Sequence, residues 1–446
     1  MFGLLEQLGQ DEQMCRLFDE QHTIQGWLDV EAALTRGLAV AGVVDTAQCR
    51  RIVAACTLDA VDVPRLWAES AVVGYPILPL IKMICAALTD DDAGFVHFGA
   101  TTQDIMDTAL AVQLRDATGR LIELTQTLGD EVARLVEYHA HVVMPGRTHA
   151  QQAVPTTFGA KCATFLDQLT RDRERLFVAR TRIAFVSLFG AGGTSAALNS
   201  RASIVRSEMA AALGLAVTSQ PWHVARDRVA EVAQVAALVA ATCVRLGREV
   251  VDLSRTELGE VAEQDGQYRG ASSTMPQKAN PISAEMAVGF GVMAQAAGTA
   301  VLRAMEAGHE RAAGEWQIEW QAVPLACQSA AGALRAALDS ATGLRVFPER
   351  MQANLALDGG RIMAEAYMIA LAARVGRDKA HETMYRAVRD SRRHGQSLLS
   401  TLESSFDADE WRALRPHLPT PDEYLGDTAR ICADAVAAWR HGGVIG

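Results

Sequence analysis

The sequence predicts an all-α protein. Long stretches lack proline and repeat apolar residues every three to four positions, the helical period. Strict apolar–polar alternation, the mark of half-buried strands, is nearly absent. No internal repeat or low-complexity tract interrupts the pattern.

Taken in order, residues 1–104 read as an N-terminal domain of short helices broken by turns. The stretch 24–40 places Trp27, Leu28, Val30, Ala33 and Leu34 on one stripe with charges between. Pro64 and Gly74-Tyr75-Pro76 punctuate the remainder of this domain. Residues 105–344 form a central domain of long helices. The stretch 105–136 spans roughly 45 Å at 1.5 Å per residue. A second long helix is expected near Thr156, a third over 226–258 and a fourth after Pro281. Helices with such wide apolar faces bury them against each other and against other subunits, so a long bundle is expected. Residues 345–446 return to shorter helices, over 363–375 and 381–393, and form a small C-terminal domain. Its basic cluster at 389–394 reads as a solvated helix face.

With 446 residues the chain exceeds one compact core, and 49% hydrophobic with 21% charged residues is ordinary for a globular protein. A net charge of −11 speaks against nucleic acid or an anionic membrane as partner, though not against a small anion in a cationic pocket. Eight scattered cysteines include no C-x-x-C and no His–Cys cluster, so no metal site is expected, and buried free thiols suit a reducing cytoplasm. Residues 1–14 lack the basic and apolar regions of a signal peptide, and no apolar run of membrane-spanning length is expected.

Three polar islands interrupt the helical pattern. The first, 99–104, offers Thr101, Thr102 and Gln103 as carboxylate ligands, or Thr and Asp as a helix cap. The second, 145–155 (PGRTHAQQAVP), carries Thr148, His149 and Gln151. The third, 270–281 (GASSTMPQKANP), places small residues before Ser272 and Ser273, then Met275, Lys278 and Asn280, and Pro281 opens a helix. Small residues admit a ligand close to the backbone, and the helix start offers free N–H groups to an anion. A serine there is a candidate nucleophile or base. A flexible linker is the plain alternative.

The third string resembles the S-S-x-M-P-x-K-x-N-P signature of the fumarase/aspartase superfamily, and all three islands are similar in order and spacing to that superfamily's three signature regions. The resemblance covers nearly the whole chain. It implies a homotetramer whose central helices build a twenty-helix core, with each active site taking one region from each of three subunits. It implies abstraction of a proton next to a carboxylate, through an aci-carboxylate, without metal or organic cofactor. Ser272 is then the base, and His149 the acid oriented by Glu285. Lys278 and Asn280 steady the anion, and Thr101, Thr102, Gln103, Thr148, Gln151 and Met275 contact substrate. Overall likeness is to the 3-carboxy-cis,cis-muconate cycloisomerase branch, through 220–231, 99–109 and 308–320. That branch typically carries Trp at the position of His149 and a small apolar residue at that of Glu285. The pair therefore points to fumarate-forming lyases. Bulky Trp316 and Trp320 stand where adenylosuccinate lyases bind phosphate, so Arg226 and Arg311 are expected to hold a small dicarboxylate. The resulting expectation is a carbon–nitrogen lyase acting on a substituted succinate. Alternatives are muconate cycloisomerisation, epimerisation of an N-substituted aspartate such as iminodisuccinate, and a non-catalytic structural protein on the same scaffold.

Overall fold

The computed structural model describes residues 8–442. The signal-peptide expectation rests partly on residues 1–7, which lie outside the described residues. The all-α class holds, with two small antiparallel sheets added among the described residues.

The long stripes become α1 (Glu20–Val40), α2 (Thr102–Tyr138), α3 (Phe158–Ile183), α4 (Asp227–Leu253), α5 (Ile282–Ala304) and α6 (Glu315–Thr342). Local chemistry sets their starts. The Asp19 carboxylate accepts the His22 N–H at 2.7 Å and caps α1. The shorter helix Val63–Val73 opens with Pro64 in its first turn and stops at Gly74, whose φ of 88° few other residues adopt.

The chain folds into two compact units. Residues 8–126, 172–244 and 286–335 make unit one; residues 127–171, 245–285 and 336–442 make unit two. In unit one, α1 packs on the helix Ala202–Leu213. Their core joins Ile24, Leu28, Leu34 and Leu38 to Val205, Met209 and Ile105. In unit two, β1 (Val143–Thr148) and β2 (Gln151–Thr157) form a hairpin. It sits on the helix Pro348–Asn354 and the turn Arg361–Met363, with Val143 packed against Leu355, Ile362 and Met363. The C-terminal helices Ala364–Val375 and Arg377–His394 pack together in a second core.

One expectation is corrected. Two helices, α4 and α5, are long and apolar enough to cross a membrane by length and composition. For α4, 72% of the apolar window is buried inside the fold, so it is a core helix; for α5 only 33% is. Val292, Met293 and Leu302 of α5 stand exposed.

Candidate active site

The second island is a hairpin, not a loop. Thr148 pairs with Gln151, leaving His149 and Ala150 as a two-residue connection at an exposed tip. Their φ values, 49° and 62°, are both positive, as the favoured hairpin turn requires to match strand twist. Glycine or asparagine usually fills such positions, and each Cβ-bearing residue there costs roughly 1 kcal/mol or more. Prolines hid the strands from sequence reading: Pro145 lies opposite Pro155, and the register slips between Gly146 and Arg147.

The hairpin is braced on both strands. Arg147 donates twice to Glu260, at 2.9 and 2.6 Å, and Glu260 is fully buried. Asn354 Nδ2 donates to Glu260 Oε1 at 2.7 Å, while its carbonyl accepts from Gln152 Nε2 at 2.7 Å. His149 is thus presented on a rigid mount. Glu260 and Asn354 escaped sequence reading, and the only available hint was an acid set beside apolar Val261.

The third island closes on itself. Ala271 and Ala279 form a backbone bridge, so their small side chains suffice at the neck. The Asn280 backbone N–H and Nδ2 both donate to Gly270 O at 2.9 Å. Gly270 has φ 66°, and a Cβ there would lie 2.4 Å from Asn280 O. Within the lobe, Ser272 Oγ accepts the N–H groups of Thr274 (3.3 Å) and Met275 (3.2 Å). Donors of this kind favour a negatively charged oxygen over a neutral one. Lys278 and Met275 are exposed on the lobe, and among the described residues the Lys278 ammonium forms no ion pair.

Two expectations for this island change. Asn280 spends an amide hydrogen on the loop neck. The α5 N-terminus is already occupied: Glu263 accepts the Ser283 N–H at 3.1 Å and the Ala284 N–H at 2.8 Å. That carboxylate fills the place expected for a bound anion. Glu285 begins α5 exposed and shares no hydrogen bond with His149 in the chain.

In unit one, Thr101 and Thr102 are half-buried at the start of α2. Asp104 does not cap by side chain alone. It accepts from Phe189 N and Gly190 N, both at 2.9 Å, and pairs with His223 Nε2 at 2.7 Å. Gln103 is fully buried, donating to His223 O and accepting from Arg311 Nη1, each at 2.8 Å. Arg311 also donates to Ala191 O at 2.9 Å and stays half-buried. Gln103 and Arg311 therefore meet each other.

Arg226 is not a free carboxylate ligand. Its guanidinium is buried and donates to both oxygens of Asp107 and both of Glu319, at 2.5–3.0 Å. Burial opposes its charge, but the Asp107 charge and the hydrogen bonds Arg226 donates to Glu319 and Asp107 outweigh it and keep Arg226 protonated. Burial also raises the Asp107 and Glu319 carboxyls, against the pull of Arg226. The triad is part of the core of unit one.

Comparison with known proteins sets this geometry in context. A family described as lyase matches residues 8–298. The chain is 39% identical over 433 residues to a 3-carboxy-cis,cis-muconate cycloisomerase of Pseudomonas aeruginosa, covering 96% of this chain and 94% of that one. The 3-carboxy-cis,cis-muconate lactonizing enzyme of Pseudomonas putida superposes with a TM-score of 0.92 at 35% identity, covering 99% and 100% of the two chains. An N-acetyl-S-(2-succino)cysteine lyase of Enterococcus italicus is 31% identical over 439 residues, covering 97% and 95%.

Proposed function

Because the chain belongs to the lyase family of the fumarase/aspartase superfamily, we propose that it makes and breaks a bond next to a substrate carboxylate, acting as a 3-carboxy-cis,cis-muconate cycloisomerase. The observation that carries this reading is likeness to such enzymes along nearly the full length of both chains. It displaces carbon–nitrogen cleavage as the leading reading.

In lactonisation, a substrate carboxylate oxygen adds to a conjugated alkene carbon. The alkene electron pair moves into the neighbouring carboxylate, giving a dianionic aci-carboxylate. Ser272 then delivers its proton to the adjacent carbon, and its alkoxide is met by the Thr274 and Met275 N–H groups. Lys278 offsets the dianion's charge. The reverse direction has Ser272 remove the same proton. Thr101, Thr102, Thr148, Gln151 and Arg311 are the substrate contacts of this reading. Arg226 and Gln103 act behind them as structural supports.

Elimination from a substituted succinate is the second reading, favoured by one observation: this chain has both His149 and Glu285. A histidine at an exposed tip suits protonation of a leaving heteroatom, and a relative is named for cleaving a carbon–sulfur succino adduct. In this reading His149 and Glu285, which share no bond within one chain, pair between copies, and the exposed Val292, Met293 and Leu302 of α5 are an apolar face suited to such packing. The oligomer is a homotetramer in this reading.

The test is loss of diene ultraviolet absorbance from 3-carboxy-cis,cis-muconate. Wild-type enzyme is expected to consume it, and Ser272→Ala to keep its fold and lose turnover. No consumption, with fumarate released from an S- or N-substituted succinate instead, would replace the first reading with the second. In the elimination reading, mixing the inactive Ser272→Ala and His149→Ala proteins is expected to restore part of the activity. No recovery after demonstrated subunit exchange would refute shared sites.

A further inference from the structure

Segments of unit one that are remote in sequence meet at a buried residue to which the proposed reaction assigns no part. His223 is 2% exposed, and its ring packs edge-on against Phe189 with centroids 6.4 Å apart. Its Nε2 lies 2.7 Å from Asp104 Oδ1, and its backbone carbonyl accepts from Gln103 Nε2 at 2.8 Å. His223 thus holds two neighbours at the start of α2, one through its side chain and the other through its main chain. Gln103 Oε1 carries the tie on to Arg311 Nη1 at 2.8 Å, and Arg311 Nη2 donates to Ala191 O at 2.9 Å.

Asp104 gathers the other segments. It is fully buried, and besides His223 it accepts the N–H groups of Thr101 (3.1 Å), Phe189 and Gly190 (both 2.9 Å) and the Ser187 hydroxyl (3.3 Å). With these groups donating, His223 presents an N–H at Nε2. Its Nδ1 is buried and, among the described residues, has no hydrogen-bond partner. An apolar ring would fill the same space without burying an unpaired nitrogen, so packing does not account for an imidazole here. The bond from Nε2 to Asp104 does. A hydrogen bond is directional, so this tie fixes distance and angle where apolar contact fixes only volume.

We propose that His223 is a positioning residue for the substrate: its ring holds Asp104, its carbonyl holds Gln103, and together they set Thr101, Thr102 and Arg311 at the spacing that receives a substrate carboxylate. Buried as it is, His223 acts through these residues and not on the substrate. The assignment rests on the reading of Thr101, Thr102 and Arg311 as substrate contacts.

The test compares His223→Phe, which keeps a ring and loses the donor, with His223→Gln, whose amide nitrogen reaches about as far as the imidazole Nε2. Steady-state turnover of 3-carboxy-cis,cis-muconate is read beside phenylglyoxal labelling of Arg311, followed by peptide mass spectrometry without substrate. In His223→Phe, KM is expected to rise at least about tenfold with kcat within about threefold of wild type. Arg311 is expected to label several times faster in the same variant. His223→Gln is expected to bring KM and labelling back to within about threefold of wild type. Gln103→Leu cuts the second arm alone and is expected to speed Arg311 labelling, which keeps the test decisive if His223→Phe does not fold. A fall in kcat at unchanged KM, no rescue by His223→Gln, or wild-type labelling of Arg311 in both His223→Phe and Gln103→Leu would overturn the proposal. Wild-type protein that leaves the muconate untouched would overturn the reaction reading instead, and the labelling rates would still decide the tie.

Discussion

Glu260→Gln tests whether the mount under His149 is a true buried ion pair. The substitution keeps the side chain's shape and leaves an oxygen for Asn354 Nδ2, but removes the charge facing Arg147. Two unit charges about 4 Å apart attract by about 4 kcal/mol at an effective dielectric of about 20. Arg147 keeps 16% of its side chain exposed, so it regains some hydration when unpaired. The expected net loss is about 2–3 kcal/mol. Urea unfolding followed by circular dichroism reads it, alongside turnover, which falls because the hairpin carrying His149 loses its anchor. The double variant Arg147→Met/Glu260→Met removes both charges together and is expected to recover most of the stability. A loss under about 0.5 kcal/mol, as for a surface pair, would refute the reasoning. So would a double variant no more stable than Glu260→Gln.

Gly270→Ala forces a Cβ to 2.4 Å from Asn280 O at a φ of 66°, so the Ser272 lobe opens. Turnover is expected to fall at least about tenfold, with faster proteolysis within 270–281 as the structural readout. Glu263→Gln leaves the Ser283 and Ala284 N–H groups without a charged acceptor, and about 1–2 kcal/mol of stability is lost in denaturant unfolding. Burial pushes the Asp11 carboxyl up, but hydrogen bonds from Arg120 and the Met14 N–H and the nearby arginine charges hold it below its ordinary value. Its stabilisation is therefore present above about pH 4 and lost as pH falls through the lower folded value; Asp11→Asn is expected to flatten that acid limb of the stability curve. Burial pushes the Cys56, Cys162 and Cys327 thiols up to about 12, so a thiol reagent at neutral pH is expected to spare them until the protein unfolds.

Most of the helical framework was legible because each long helix writes its own periodic stripe. The features that escaped are those whose partners lie far along the chain. Arg226 reads as a substrate ligand until Asp107, 119 residues away, and Glu319, 93 residues away, are found holding it. Glu263 closes a helix start 21 residues later, and no local pattern marks an acid for that task. The hairpin of 143–157 was hidden for a different reason: its strands contain facing prolines, and its turn uses His and Ala where glycine would have announced it. Ser272 and Lys278 stand out in the motif, whereas the bonds that fold their lobe, between the Asn280 backbone and amide and Gly270 O and between Ser272 Oγ and the Thr274 and Met275 N–H groups, became visible only in the structure.

The chain passes from one unit to the other five times, each time within one of the helices α2 to α6, in the first turn of α5 and deeper inside the others. Among the described residues no linker joins the units at which a protease could separate two intact halves, and neither unit is a continuous segment of the sequence. Neither unit can finish folding until synthesis has passed residue 335, so a ribosome stalled earlier releases a fragment with unmatched apolar helix faces. Such a fragment is material for chaperones and degradation rather than a partly working enzyme.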